Sequence, residues 1–415
     1  MEAETAMATV VVSAYNVANT PEFGGHFWVY LQYVHALRRL GCEVFWLERL
    51  RSDDRGRDTS AAIRTFFQRM ERYGLGGKAI LYETAGSDGG DVALRFVGVS
   101  STTAETVFRR ADLLLNFHYA IDPGLLARFR RTALVDIDPG LLQFWISQSQ
   151  LRVAPHDLYL TIGETVGTPA ARFPDCGLPW IRIRPPVCLD LWPYAYDPAA
   201  RRFTTVSSWL GGEYVVEGTG AAKRVLYEND KRVSFLQFAE LPARASCEVE
   251  LALCFKGRPD APDAADRELL ERKGWRVRDA LEVARTPERY RAYIQASRGE
   301  FSCAKPSYVE LQTAWVSDRT LCYLASGKPA VVQDTGPSAF LPTGAGLFRF
   351  STVEEAAEAL AAIDAHYERH CRAARAIAED FFDARVVLSD TLNLAERTPG
   401  GARVPVSASA GRHDP

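Results

Sequence analysis

Apolar residues along the chain alternate between short β-branched or leucine-rich runs and stretches where they recur at helical spacing. Thr9 to Ser13 is such a run. A turn-forming stretch through Gly24-Gly25 follows, and then Phe27, Tyr30, Leu31, Val34 and Leu37 share one helical face. Gly41 ends that helix and Glu43 to Leu47 gives the next strand. The chain therefore opens with a βαβ unit, whose sheet is expected to be parallel and whose crossover right-handed. Further strands are predicted at Lys78 to Tyr82, Asp112 to Phe117, Thr132 to Ile137 and Leu158 to Ile162, with helical patterns between most of them. This alternation predicts an α/β lobe.

Prolines at Arg184-Pro185-Pro186, Leu191-Trp192-Pro193 and Asp197-Pro198 interrupt any regular element and predict an interdomain linker. Strand patterns resume at Phe203 to Trp209 and recur at Glu248 to Phe255, Trp275 to Val277, Ser302 and Ala330 to Gln333, again among helices. Thr352 with Glu355 three residues later is a capping box, opening a helix expected to run to about Phe382. The expected division is a first lobe over 1–190, a second over 191–380, a C-terminal helix over 381–396 and a loose tail over 397–415. The default ligand site is the cleft between the lobes.

A length of 415 residues suits two domains of about 200 residues each. The net charge of −3 argues against the extended basic surface that a nucleic-acid backbone requires. Eight cysteines without CxxC pairs indicate neither a zinc site nor a disulfide framework, and read as reduced cytosolic thiols. The apolar run Val10 to Val12 falls far short of the ~20 residues that cross a bilayer. No targeting signal is visible, so a cytoplasmic location is expected.

The segment Ser317 to Gly336 carries the clearest chemistry. Ser317 can cap a short helix, Gly327 stops it, and Pro329 forbids its continuation into the apolar strand Ala330 to Gln333. The helix start then faces the same sheet end as the Asp334-Thr335-Gly336 loop. Free amides and the positive end of the helix dipole attract anions there. Arg319 would add a planar charged fork.

These motifs resemble those of GT-B-fold glycosyltransferases, in particular the bacterial group whose donor half is like that of glycosyltransferase family 4 and ends its helix-then-strand signature in A-x-G-x-P. The resemblance is strongest over GEFSCAK (299–305), SDRTLCYLASGKPAVVQDTG (317–336) and PTGAGLFRF (342–350), and moderate over Gly24 to Leu47. It implies two Rossmann-like lobes, with the acceptor on the first and a nucleoside diphosphate sugar on the second. It also implies transfer of a sugar to a small molecule, natural product or glycan, with no cofactor and no metal. Sugar-nucleotide epimerases of the same fold and a non-catalytic nucleotide-binding scaffold remain as alternatives. One position departs from the pattern: where many retaining members carry a ribose-binding glutamate, this chain has Cys322. Asp318 lies four residues earlier, on the same helical face, and can accept the ribose hydroxyls instead.

The resemblance assigns Arg319 and Lys305 to the leaving diphosphate, with the helix amides from Asp318 to Thr320 and the capping Ser317 beside them. Lys231 is a weaker candidate for which a solvated face is the expected role. Glu300 is a candidate for the donor sugar, and Asp334, Thr335 and Gly336 for the loop closing the donor site. Gly24 and Gly25 would let backbone amides approach a phosphate or sugar. His26, in the first turn of its helix, is the expected acceptor base, and Asp138 is a second acid or base or the partner orienting His26. His118 is expected at a strand end near the cleft. Of the aromatic residues Trp28, Tyr30, Phe144, Trp145, Trp180 and Trp192, most are expected in the core.

Overall fold

A computed structural model describes residues 8–51, 59–85, 93–211, 215–217, 225–255, 263–401 and 403–406. The first sheet contains β1 (Thr9–Ser13), β2 (Glu43–Arg49), β3 (Ala79–Ala85), β4 (Ala93–Val97), β5 (Leu113–Asn116), β6 (Thr132–Asp136), β7 (Leu158–Thr161) and β8 (Trp180–Arg182). Their order is β4-β3-β2-β1-β5-β6-β7-β8. Every pairing is parallel except β3 with β4. Every residue of β1, β5, β6 and β7 is buried. Near-continuous apolar strands of this kind are what a sheet covered on both faces demands.

The second half contains β9 (Arg202–Ser208), β10 (Val215–Glu217), β11 (Val225–Tyr227), β12 (Glu248–Cys254), β13 (Arg276–Asp279), β14 (Gly299–Ser302), β15 (Ala330–Gln333) and β16 (Leu347–Phe350). Six of these form a sheet ordered β13-β12-β9-β14-β15-β16, while β10 and β11 pair as a separate antiparallel hairpin. All five pairings of the six-stranded sheet are parallel. Both sheets reverse direction once, between β1 and β5 and between β9 and β14. Crevices at the carboxyl ends of such switch points are where α/β sheets bind ligands.

The lobes share packed material rather than touching lightly. Trp28 and Trp192 lie with ring centroids 4.8 Å apart, and the Trp28 indole N–H donates to the Pro287 carbonyl at 2.9 Å. The linker strand at Val187 exchanges backbone hydrogen bonds with Phe382 and Ala384. The final helix, Ala384–Arg397, returns to pack on the helix Gly24–Arg39 of the first lobe.

Two expectations about the C-terminal third are corrected. The helix opened by Thr352 ends at Ala365, because His366 leaves the helical region at φ −136°, and a second helix runs from Tyr367 to Phe382. The capping box itself forms: Thr352 Oγ1 accepts from the Glu355 amide at 3.2 Å and Glu355 accepts from the Thr352 amide at 3.3 Å. The stretch expected as a loose tail is tied to the first lobe over its described part. Arg403 donates to the carbonyls of Leu126 and Phe129, and Val404 forms an antiparallel bridge with His156. These backbone partners supply what the tail lacks in apolar periodicity. Residues 407–415 lie outside the described residues.

Candidate functional site

A cavity of about 1350 Å³ opens between the lobes, where the two switch points face each other. Its first-lobe wall includes Tyr15 after β1, Arg49 and Arg51 at the end of β2, and His118 after β5. Its second-lobe wall includes Ser207 and Ser208 at the end of β9, Lys231, Lys305 after β14, and the start of the helix Asp318–Ala325. Among the described residues no group of three or more His, Cys, Asp or Glu side chains is placed to hold a metal ion.

The helix Asp318–Ala325 forms for the reasons its sequence suggests. Ser317 Oγ accepts the Arg319 amide at 3.3 Å, and Gly327 takes a left-handed φ of +68° past the helix end. A side chain there would run into the Tyr194 ring and the Cys371 carbonyl, so glycine is required twice over.

Arg319 reaches the cleft but is committed elsewhere. Its Nε donates to Glu300 at 2.7 Å, one terminal nitrogen donates to the Val206 carbonyl at 2.8 Å, and the other donates to Ser302 Oγ. Glu300 has no exposed surface. The expectation that Glu300 touches a donor sugar is therefore corrected: its carboxylate is the buried counter-charge of Arg319. The expectation of Arg319 as a free anion fork changes with it, because three donor sites already serve the protein.

On the second-lobe wall the cation without an ion-pair partner among the described residues is Lys231. Only 8% of it is exposed, its ammonium lies 5.8 Å from the Trp315 ring centroid, and no carboxylate among the described residues pairs with it. Burial, with Arg319 and Lys305 nearby, pushes its proton affinity down to about pH 7. A solvated face is thus the wrong role for it. No local sequence signal marked this: Asp230 stands before the helix Lys231–Gln237 without a side-chain cap hydrogen bond.

Lys305 stands 3.8 Å from Asp138 across the lobe boundary. The Tyr308 hydroxyl donates to Asp138 Oδ1 at 3.0 Å and the Tyr119 hydroxyl donates to Oδ2 at 3.2 Å. Asp138 is therefore a latch between lobes, and no hydrogen bond links it to His26. Sequence reasoning missed Tyr308, which carries no motif of its own.

His26 lines the cavity with Nε2 2.7 Å from the Tyr15 carbonyl oxygen. A carbonyl only accepts, so Nε2 carries the proton and Nδ1 keeps a free lone pair. Burial lowers the His26 proton affinity below the ordinary histidine value, partly offset by that hydrogen bond and by Asp318 and Asp138. Burial likewise raises Asp318 above the usual carboxylate range, against the pull of Arg319, Lys231 and His26. Asp318 and His26 face the same cavity from opposite lobes.

Of the remaining expected site residues, all but Gly25 lie off the cavity wall. Thr320 is buried, as is Thr335, whose hydroxyl donates to the Trp315 carbonyl at 2.8 Å. Asp334 pairs with Arg349 at 3.5 Å, and Gly336, at φ +127°, packs against the backbone of Gln312. This loop holds the Trp315 segment in place instead of facing the cleft. Gly24 serves close approach between lobes: a Cβ there would lie 2.2 Å from the Thr286 carbonyl carbon. Gly25 does line the cavity, against the Tyr290 ring. Of the aromatic residues considered, Tyr30 and Trp145 line the cavity while Trp28 and Trp192 are core.

The same architecture occurs in solved structures over nearly the whole chain. TarM superimposes with a TM-score of 0.58 at 8% identity, covering 94% of this chain and 99% of its own. An alpha-glucosyltransferase in complex with UDP-glucose and DNA containing an abasic site gives 0.56 at 12%, covering 94% and 99%. HepE from Anabaena, in complex with UDP and glucose, gives 0.53 at 11%, covering 94% and 100%. The fold is GT-B. No protein-family profile matches this GT-B chain, and no curated protein matches it in sequence. Among its described residues no helix is long and apolar enough to cross a membrane.

Proposed function

We propose that this GT-B protein is a glycosyltransferase that moves a sugar from a nucleoside diphosphate sugar to an acceptor held on the first lobe. The observation that carries the reading is the second-lobe wall. Lys231 and Lys305 converge with the capped start of the helix Asp318–Ala325 on one face of the interlobe cavity. A diphosphate satisfies cations and amides gathered in this way. The donor half is like that of glycosyltransferase family 4, and the transfer uses no metal: the two lysines and the helix amides meet the charge that develops on the departing diphosphate.

Asp318 takes the ribose hydroxyls from its place at the cavity wall. Arg319 acts through position: by gripping Val206, Ser302 and Glu300 it fixes the helix start against the ends of β9 and β14. In an inverting transfer the acceptor hydroxyl gives its proton to His26 Nδ1 while its oxygen bonds to the anomeric carbon. The bond from that carbon to the diphosphate oxygen breaks, and the diphosphate leaves as an anion. Closure of the cavity around both substrates excludes water and limits hydrolysis.

The test pairs nucleotide binding with transfer. UDP, GDP, dTDP, ADP and their sugars are screened by thermal shift, where a ligand at 100 times its dissociation constant adds ~2.7 kcal/mol. One nucleotide series should stabilise the protein, and His26→Ala should keep that binding while losing transfer. A flat response to every nucleotide refutes the reading. Near wild-type transfer by His26→Ala removes the histidine from the mechanism.

A further inference from the structure

The cations of the second lobe are accounted for by a diphosphate, but the first-lobe wall of the same cavity carries two more. Arg49 and Arg51 both line it, and neither has an ion-pair partner among the described residues. The chain as a whole is net negative, so this concentration of positive charge is local. We propose that the acceptor subsite of this protein recognises an anionic acceptor, one bearing a phosphate or carboxylate group, through Arg49 and Arg51. The proposal rests on the glycosyltransferase reading above and specifies the substrate class of that site.

The two arginines sit on a built platform. The Asn19 side chain clips the backbone at both positions, its amide donating to the Arg49 carbonyl at 3.0 Å and its oxygen accepting the Arg51 amide at 2.9 Å. Arg51 donates to the Tyr15 hydroxyl at 2.9 Å and its guanidinium lies 5.7 Å from that ring's centroid. Tyr15 also stacks on His118, with centroids 5.3 Å apart and the rings 28° from parallel. Arg49 donates to Thr84 Oγ1 at 2.9 Å. Each guanidinium has five N–H donors, and among the described residues each gives one to a neutral hydroxyl, so toward those residues the charge and most of the fork stay unspent.

The surrounding groups agree with an anion site. His118 is pushed down to about pH 4 by burial and then by Arg49 and Arg51, so it stays neutral and presents a flat ring instead of a third charge. Lys231 responds instead to Arg319 and Lys305. The two cation groups are thus electrostatically distinct, one per lobe, as a donor anion and an acceptor anion would require. Of the two acids on the cavity wall, Asp318 belongs to the second lobe, and Asp138, on the first, is already bound by Tyr119, Tyr308 and Lys305.

Equilibrium binding of glucose 1-phosphate, glucuronate and glucose to the whole protein tests this, first with UDP at saturation so that the donor site is filled, then without nucleotide. The wild type should bind the anionic sugars about ten-fold or more tighter than glucose. The double variant Arg49→Gln/Arg51→Gln should lose that preference while its UDP affinity stays unchanged, since both side chains are exposed and the Asn19 clips are to backbone. Comparison of the two anionic sugars separates phosphate from carboxylate. Equal binding of all three sugars overturns the proposal. So does a preference that survives in the double variant, or one abolished by Lys231→Met alone. Failure of UDP, GDP, dTDP and ADP all to bind refutes the glycosyltransferase reading instead, and the nucleotide-free titrations still decide the role of the arginine pair.

Discussion

Arg319→Met separates a structural cation from a ligand-binding one. Glu300 has no exposed surface, its carboxylate's hydrogen bond among the described residues comes from Arg319, and its Oε2 is without a partner. Removing the arginine leaves a buried carboxylate with nothing opposite it, a change that costs ~3–5 kcal/mol. The Val206 carbonyl and Ser302 hydroxyl lose a donor at the same time, which places the loss toward the upper end. For a cooperative unit of the second lobe's size each kcal/mol moves the midpoint by roughly 2–4 °C, so the melting temperature should fall by about 6–20 °C.

Removing the counter-charge as well supplies the control. Glu300→Leu/Arg319→Met replaces an ion pair by apolar groups of similar size, a change that is often neutral or stabilising. The double variant should regain most of the lost stability, and the non-additivity measures the pairing. Differential scanning fluorimetry gives the four melting temperatures, and titration calorimetry below the lowest of them gives UDP affinity. The reasoning is refuted if Arg319→Met melts within about 2 °C of wild type while its nucleotide affinity drops by about ten-fold. That pattern would make Arg319 a diphosphate ligand whose pairing with Glu300 matters little.

Two further outcomes follow from the same geometry. Burial and the neighbouring cations push Lys231 down to about pH 7, so above that pH it loses its proton and the charge of an arriving diphosphate must draw one back onto it from the buffer. Nucleotide binding at pH 8 should then take up about one proton, and affinity should fall as pH rises above 7, in Lys231→Met neither effect remaining; calorimetry in buffers of different ionisation enthalpy reads both. Gly24→Ala would drive a Cβ against the Thr286 backbone at 2.2 Å, whereas Gly25→Ala meets only the edge of the Tyr290 ring at 2.8 Å. The first should cost about 1–3 kcal/mol in urea melts and the second clearly less, because a side chain can turn aside and a backbone cannot.

The parallel sheets were legible because buried strands announce themselves as apolar runs, and β1, β2, β5, β6, β7, β9, β12 and β15 coincide with such runs to within a few residues. The strands passed over are of another kind. β4, β8 and β16 lie at sheet edges, and β10 and β11, three residues each, form a hairpin apart from both sheets; short edges bury too little to leave a pattern. Within the site, the cap at Ser317 and the stop at Gly327 were readable because each solves a local backbone problem. The partners of Arg319 were not. Glu300 precedes it by nineteen residues and Val206 by more than a hundred, so only the sheet order β9-β14-β15 brings them together. The same holds for Lys231, whose sequence neighbourhood looks solvated and whose burial comes from Trp315.

Cys322 shows how the lobe packing shapes the proposed donor site. Its side chain is buried, and the Gln32 amide approaches its sulfur at 3.9 Å from the first lobe. Gln32 also accepts the Cys188 amide at 2.8 Å, so one glutamine stitches helix, linker and second lobe into a single seam. A carboxylate at position 322 would sit in that seam, where burial raises even the thiol's proton affinity and Asp318 and Glu300 already contribute negative charge. The cost of placing a third acid there is several kcal/mol unless a cation follows it in. A small neutral side chain avoids that cost. The acid one turn earlier, Asp318, faces the cavity beside Lys231 and His26, where its charge is balanced by groups that a nucleotide would also meet. The departure at 322 and the acid at 318 are thus two consequences of one tightly packed interlobe seam.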